Sequence, residues 1–306
     1  MSSSLSAADA TVRPTSPAQS IQVTRWPSET PLFVACLCVS IVLWLLLTVS
    51  MVGLAYAVLL GGFFFMAHVM FVAHVRGSGV RVGPDQLPDL HARVHTIAGR
   101  IGLERVPEVY LMQAGGALNA FATRFLGRHI VVLFSDLLDA CGDSQGAADM
   151  IIAHELGHVK AGHLRWHWFL LPANLIPFLG MALSRAREYT CDRYGLAGSG
   201  DREGALLGLT ILAAGGSHAR LVNRDALVRQ RADLNTGWMR IGEWLSSHPP
   251  LARRLAALEP SLGGASRGSS AGTIRALLIF ATGVVIVGAL AWAAAGIANL
   301  VQGMAT

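Results

Sequence analysis

The sequence predicts a mainly helical α+β domain that is held at a membrane by three transmembrane helices. Of its 306 residues, 53% are hydrophobic and only 14% are charged, and the mean hydropathy is +0.48. Soluble domains carry about 25% charged residues, so this shortage of charge indicates an integral membrane protein. Between the long apolar runs lies a region of mixed polarity that is large enough for one folded domain.

The chain begins with a polar segment that is followed by a long apolar run. Residues 1–30 are rich in Ser, Thr, Ala and Pro, which predicts a disordered tail. Residues 31–75 are almost continuously apolar. As one helix they would be roughly 65 Å long, about twice the hydrocarbon thickness. We therefore expect a transmembrane hairpin with a break near Ser50 to Gly53. His68 lies on the second helix, where a structural role is the simpler interpretation.

Residues 76–260 have the alternating polarity of a folded domain. An amphipathic helix comes first, and it is followed by three strands and a long helix. The strands are predicted at PEVYLMQ, NAFATRF and RHIVVLF, with a turn at Gly127 between the last two. The long helix is predicted over SQGAADMIIAHELGHVKAGHL. Further helical sequence follows, so the domain is expected to be α+β with helices in the majority.

Two apolar segments lie within and after this domain. Residues 166–184 contain Pro172 and Pro177, and they fall short of the roughly 20 residues that a spanning helix needs. We expect this segment to enter the bilayer without crossing it, or to cover the active site; a buried core segment is the alternative. Residues 261–275 predict a Gly/Ser linker, and residues 276–301 predict the third transmembrane helix.

The long helix carries an H-E-x-x-H motif formed by His154, Glu155 and His158. Residues four apart share one face of a helix, so both imidazoles can reach one metal ion. The glutamate after the first histidine is placed to act as a general base on a metal-bound water. The helix is otherwise apolar, and unpaired polar groups there would be costly. The motif therefore predicts a zinc hydrolase.

A catalytic zinc site needs a third protein ligand. His163 is one place away from the position that the longer three-histidine motif requires, so we do not expect it to be the ligand. Glu188 is the better candidate because Asp192 lies four residues later, where it can orient a histidine from behind. A surface ion pair of Glu188 with Arg185 or Arg187 is the alternative.

These motifs together resemble the M48 peptidases, the HtpX-like and Ste24-like membrane zinc metalloproteases. The resemblance rests on NAFATRF, IIAHELGHV, SRAREYTCD and SSHPPLARRLAAL, which occur in the order of the family. It covers roughly residues 84–260. It implies a gluzincin fold, in which an active-site helix faces a small sheet whose edge strand holds substrate, and a helical subdomain brings the glutamate ligand.

The resemblance also implies roles for individual residues. One Zn²⁺ per chain would be bound by His154, His158 and Glu188, with Glu155 as general base. An edge strand would bind substrate, and two basic side chains would stabilise the oxyanion. The residues implied for these two roles are Asn119, Ala120, Phe121 and Ala122 in the strand, with His248 and Arg254 as the basic pair. Cys191 departs from the family pattern, where a small residue such as Ala is usual.

The shared metal ion also constrains the topology. His158 and Glu188 must lie on one side of the membrane, so the apolar stretch between them should not cross it. Arginines flank the apolar runs on one side, which by the positive-inside rule places the N-terminus and the catalytic domain in the cytoplasm. The C-terminus would lie outside, and the membrane would be the cell membrane. The flanking arginines are Arg13, Arg25, Arg76, Arg81 and Arg275.

The function that we expect is that of a membrane-anchored zinc metalloendopeptidase acting on proteins or peptides, with membrane protein quality control as the suggested role. One alternative is a zinc-stabilised scaffold or chaperone without proteolytic activity. Another is Ste24-like processing of lipidated substrates. Nucleic acid is not an expected partner, because no basic cluster is interleaved with aromatic residues.

Overall fold

The computed structural model describes residues 21–262 together with Ile274 and Leu277. Almost all of the predicted linker over 261–275 and of the third transmembrane helix over 276–301 falls outside the described residues. The described chain is mainly helical and contains one small mixed sheet.

Two long apolar helices precede the sheet, and a single residue separates them. Helix α1 spans Glu29–Val49 and helix α2 spans Met51–Ser78. The hydroxyl of Ser50, between them, accepts a hydrogen bond from the Gly53 amide at 3.0 Å. Within the described chain these are the two helices long and apolar enough to cross a membrane by length and composition. Most of their side chains are exposed.

The prediction of a disordered tail over residues 1–30 is wrong for its last ten residues. The Ile21 amide donates to the Arg100 carbonyl at 3.0 Å. The Trp26 ring stacks on Tyr189 with 4.5 Å between centroids. Glu29, two residues before the predicted helix start, is only 1% exposed. A few specific anchors hold the segment, and a compositional argument cannot detect them.

The sheet has four strands: β1 Val80–Arg81, β2 Glu108–Met112, β3 Ala120–Phe125 and β4 Arg128–Phe134. Their order is β1-β2-β4-β3. The central pair β2 and β4 is parallel, and both outer pairs are antiparallel. Three strands match the three predicted segments, whereas the two-residue β1 was not predicted. Strand β3, which contains most of the NAFA segment, is therefore an edge strand.

The helices of the domain follow the chain in order. They are α3 Pro88–Arg100, α4 Ser135–Cys141, α5 Gln145–Lys160, α6 Leu171–Asn174, α7 Leu179–Ser199, α8 Arg202–Ala214, α9 Gly216–Ala219, α10 Arg224–Arg229, a 3-10 helix Gln230–Asn235, α11 Gly237–Trp244 and α12 Leu251–Leu258. Between α5 and α7 the chain forms turns and the four-residue α6. Leu170 and Ala173 are buried there against α1 and α7. This connection is too short and broken to be a spanning helix.

Helices α5 and α7 pack closely because each has a glycine where the two helices touch. A Cβ atom on Gly157 would lie 2.8 Å from the Cβ of Tyr194 on α7. A Cβ atom on Gly198 would lie 2.4 Å from the Cβ of Ala153 on α5. Both distances are shorter than a carbon–carbon contact, so larger residues would force the helices apart. This close approach brings the H-E-x-x-H motif of α5 against the middle of α7.

Candidate metal centre

Three predicted ligands converge between α5 and α7. His154 Nε2 lies 3.5 Å from Glu188 Oε2, and His158 Nε2 lies 3.5 Å from Glu188 Oε1. The side chains of His154 and Glu188 are buried, and that of His158 is 18% exposed. Glu188 is not part of a surface ion pair with Arg185, whose Nη1 donates to the carbonyls of Trp244 and Ser246. The structure thus brings two imidazole nitrogens and one carboxylate to a single point.

The charges at this point favour a cation. Burial would raise the pKa of Glu188, but hydrogen bonds with His154 and His158 hold it well below its usual value. Burial would lower the pKa of His154, but hydrogen bonds with Asp192 and Glu188 raise it to about 10. At neutral pH the metal-free site therefore pairs a charged His154 with a charged Glu188. Metal binding at such a site replaces a proton.

Asp192 and Arg254 lie behind these ligands. His154 Nδ1 lies 3.1 Å from Asp192 Oδ1. Arg254 on α12 forms a two-pronged ion pair with Asp192, with its Nε 2.8 Å from Oδ2 and its Nη2 2.5 Å from Oδ1. Arg254 Nη1 also lies 3.4 Å from Glu188 Oε2. The guanidinium is thus committed to two carboxylates, which differs from the oxyanion-stabilising position expected from the resemblance.

A cleft of about 360 Å³ opens onto this centre. One wall of the cleft is formed by Asn119 and strand β3. The other wall is formed by helix α5, which carries the H-E-x-x-H motif, together with α7 and α12. Glu155 is 7% exposed and lines the cleft. His248, which precedes α12, has a largely exposed side chain, and its Nε2 lies 3.7 Å from Glu188 Oε1. The site residues predicted from the sequence that line this cleft are Asn119, Ala120, Phe121, Ala122, His154, Glu155, His158, Glu188, His248 and Arg254.

The free edge of β3 faces this cleft. Leu126 and Gly127 have φ values of 45° and 85°, which fits a two-residue type I′ turn closed by the pair Phe125 and Arg128. In this register the backbone N–H and C=O groups of every second residue of β3 form hydrogen bonds with β4. The backbone groups of Ala122 and Arg124 therefore point to the free edge. His68 of α2 already hydrogen-bonds the Arg124 carbonyl, at 3.3 Å. Ala122 is therefore the position of β3 best placed for an added strand.

Two residues near the centre were not assigned a role from the sequence. Cys191 is completely buried, and together with His154 and His158 it offers ligand atoms within 4.8 Å of one another. Burial and nearby carboxylates raise the pKa of the Cys191 thiol well above its usual value. Glu188 directs one carboxylate oxygen to each imidazole Nε2, at 3.5 Å, and stays the predicted third ligand.

His163 contacts His158 from the side that faces away from Glu188. The two Nδ1 atoms are 3.1 Å apart, so His163 is not placed as a ligand beside the Nε2 atom. Burial lowers the pKa of His163 to about 4, so its ring is neutral. Its position five residues after His158 was the one sequence signal for this contact.

Comparisons with known proteins identify the family of this chain. The model of Peptidase family M48 matches residues 84–173 and 166–261. Plastoglobule-localized metallopeptidase 48, chloroplastic, from Arabidopsis thaliana is 30% identical over 171 residues, or 50% of this chain and 48% of that protein. This chain thus spans about half the length of that relative. The crystal structure of S. mikatae Ste24p has a TM-score of 0.36 and 15% identity, over 75% of this chain and 62% of that chain. Because the family matches together cover residues 84–261, more than half of the chain, this protein belongs to peptidase family M48.

Proposed function

We propose that this protein is a membrane-bound zinc endopeptidase that cleaves extended, apolar stretches of polypeptide beside the membrane. The observation that carries the proposal is the convergence of His154, His158 and Glu188 on one point next to a free strand edge. Two histidines and a glutamate are a donor set of catalytic zinc sites, with a fourth position left for water.

The spacing of the donor atoms supports zinc. Two zinc bonds of about 2.0–2.1 Å at a tetrahedral angle place their donor atoms about 3.4 Å apart. Both imidazole Nε2 atoms lie 3.5 Å from an oxygen of Glu188. The two contacts go to different oxygens of Glu188, so its carboxylate lies within reach of an ion held by both imidazoles. When bound, zinc would polarise the scissile carbonyl and lower the pKa of a coordinated water.

In this proposal two further side chains take part in catalysis and two hold the metal ligands in position. Glu155 follows the first ligand and lines the cleft, so it would take a proton from the attacking water and return it to the leaving amine. His248 stands at the open side, where it can donate to the oxyanion. Arg254 is better suited to holding Asp192 and Glu188 in place, because its guanidinium is already engaged by both. Asp192 would fix the orientation of His154.

Substrate would bind as an extra strand on β3. Main-chain hydrogen bonds to Ala122 would hold it in an extended form, independent of its sequence. Asn119 already uses its side-chain oxygen to accept from the Ala120 amide, at 2.9 Å. His68 occupies the Arg124 carbonyl and would limit the pairing at the other end. This arrangement suits an unfolded segment and disfavours a folded surface.

A second cavity, of about 940 Å³, supports an apolar substrate. It lies between α2 and the far end of β3 and shares Ala122, Leu164 and His167 with the metal cleft. Its walls include Phe65 and Trp168. A bound strand would place alternate side chains there. We expect peptides with Leu beside the scissile bond to have higher kcat/KM than matched peptides with Ser, and equal values would argue against this subsite.

Membrane attachment follows from α1 and α2 in this proposal. Both helices would cross the bilayer and return the chain to the side on which the domain lies. Arg25 precedes α1, and Arg76 and Arg81 lie at the end of α2 and beyond it. By the positive-inside rule these arginines favour a cytoplasmic domain. Misfolded membrane proteins would then be the natural source of apolar, extended substrate.

The substitution Glu155→Gln in the full-length protein, purified in detergent, tests the proposal. We expect one zinc per chain to remain bound while cleavage of an unfolded casein-type substrate falls by at least about 100-fold. Glu104→Gln, at an exposed position before β2, is the matched control and should leave cleavage unchanged. Retained cleavage by the Glu155 variant would refute the mechanism. A wild-type protein that binds zinc but cleaves nothing would favour the scaffold alternative.

A further inference from the structure

A line of buried side chains connects the second histidine of the motif to the start of the apolar helix α1. His158 Nδ1 lies 3.1 Å from His163 Nδ1, and His163 Nε2 lies 3.1 Å from Glu29 Oε1. His163 is 5% exposed and Glu29 is 1% exposed. A buried carboxylate is costly unless it is hydrogen-bonded, so the position of Glu29 requires an explanation.

We propose that Glu29 and His163 are positioning residues that hold His158 in the orientation and tautomer needed for metal binding, so that α1 completes the metal centre. The inference rests on the proposed function, because it takes His158 to be a metal ligand. Glu29 lies outside the residues that match the family model, which begin at residue 84. His163 lies within that match, so only the Glu29 part of this support lies outside it.

The direction of the hydrogen bonds follows from the chemistry of the groups. An ionised carboxylate only accepts, so His163 Nε2 must carry the hydrogen that points to Glu29. A metal on His158 Nε2, which faces Glu188, needs the lone pair of that nitrogen, so the hydrogen of His158 lies on Nδ1 and points to His163 Nδ1 at 3.1 Å. That is the tautomer that a metal ligand requires. The Cys191 thiol is a second, longer contact of that His163 nitrogen, at 3.5 Å.

Glu29 is itself fixed to both helices of the metal centre. The hydroxyl of Thr190 on α7 donates to Glu29 Oε2, and that oxygen atom of Thr190 also accepts from the Trp26 amide at 2.8 Å. Arg25 contacts Glu29 Oε1 at 3.3 Å and donates from Nη2 to the Ala161 carbonyl at the end of α5, at 2.8 Å. The N-terminal segment thus joins α5 to α7 beside the metal site. Displacement of α1 would release His163 and then His158.

The test is zinc affinity, measured by competition with a chelator on the full-length protein in detergent. We expect Glu29→Leu and His163→Leu each to weaken zinc binding by about 10–100-fold, the usual effect of losing such a partner. His163→Gln should recover most of the affinity, because its amide can accept from His158 and donate to Glu29. Ser40→Ala is the control, since Ser40 is a buried α1 residue that contacts α6 and not the metal site.

Zinc affinity also separates this inference from the proposed function. If the wild-type protein binds no zinc, the proposed function fails. If it binds zinc and the folded Leu variants bind it equally well, only the relay is overturned, that is, the support of His158 by Glu29 through His163. Should Glu29→Leu not fold, Glu29→Gln provides the same test: its loss of affinity should disappear in a His163→Leu background. Additive losses in that double variant would contradict a relay through His163.

Discussion

The two histidines of the metal centre are supported from behind by different kinds of partner. His154 contacts Asp192, which is ion-paired with Arg254, and all three residues lie within the region that matches family M48. His158 contacts the neutral His163, which leads to Glu29 at the start of α1. The first support is ionic and closed within one domain. The second depends on the docking of a helix that is apolar enough to lie in the membrane.

Because of this difference, we expect the two supports to respond differently to damage. The ionic support contains buried charges that cannot be removed singly without a large penalty. The second support contains one buried charge, Glu29, whose ion-pair partner Arg25 is half exposed, and its other members are joined by hydrogen bonds that depend on the docking of α1. We therefore expect damage to the first support to unfold the domain, and damage to the second to alter metal binding while the fold remains.

Removal of the arginine should have the largest effect. Arg254→Leu leaves Asp192 and Glu188 buried without their cation, and breaking such a pair costs about 3–5 kcal/mol. We expect the free energy of unfolding to fall by that amount in denaturant titrations of the metal-free protein in detergent, followed by tryptophan fluorescence. Arg202→Leu removes an arginine of an exposed ion pair with Glu259 and is the control, with little expected change. Equal effects of the two substitutions would show that the buried network is unimportant.

The sequence predicts the metal ligands and the ionic support of His154 much better than it predicts the relay behind His158. His154 and His158 lie four residues apart on one helix, so their spacing alone indicates that they share a face, and Glu155 directly follows the first of them. Glu188 and Asp192 are likewise one turn apart on α7, and their pairing with the motif follows from a known chemical pattern. Local periodicity is the information that a single sequence contains.

The relay could not be predicted because it depends on tertiary contacts between distant segments. Glu29 and His163 are 134 residues apart. Residues 21–30 have the composition of a disordered tail, yet Trp26 and Glu29 anchor them to α7. The approach of Cys191 to the centre also depends on how α7 packs against α5. No spacing or composition encodes these distances.

Weakening the contact between α2 and strand β2 should have the smallest effect on stability. Glu108 on β2 contacts Arg76 at the end of α2, at 3.2 Å, and Arg128 at 3.4 Å. Burial raises the pKa of Glu108, but the two arginines hold it below its usual value of 4.5. A lowered folded pKa means that this stabilisation is complete above about pH 4.5 and is lost as pH falls through the folded value.

Glu108→Gln should therefore lower the stability by about 1 kcal/mol or less at neutral pH and by less still in acid. The measurement is the thermal unfolding midpoint of both proteins across a pH series in detergent. Zinc affinity should not change, in contrast to Glu29→Leu. A stability difference that persists undiminished in acid would contradict the ion-pair explanation.

X-ray absorption spectroscopy of the zinc-loaded protein tests the central claim most directly, because it reports the atoms bound to the metal. Binding by His154, His158 and Glu188 should give a shell of nitrogen and oxygen atoms at about 2.0–2.1 Å and no sulfur. A sulfur atom at about 2.3 Å would show that Cys191 is a ligand, which the structure allows by proximity. That result would contradict the assignment of Glu188 as the third ligand.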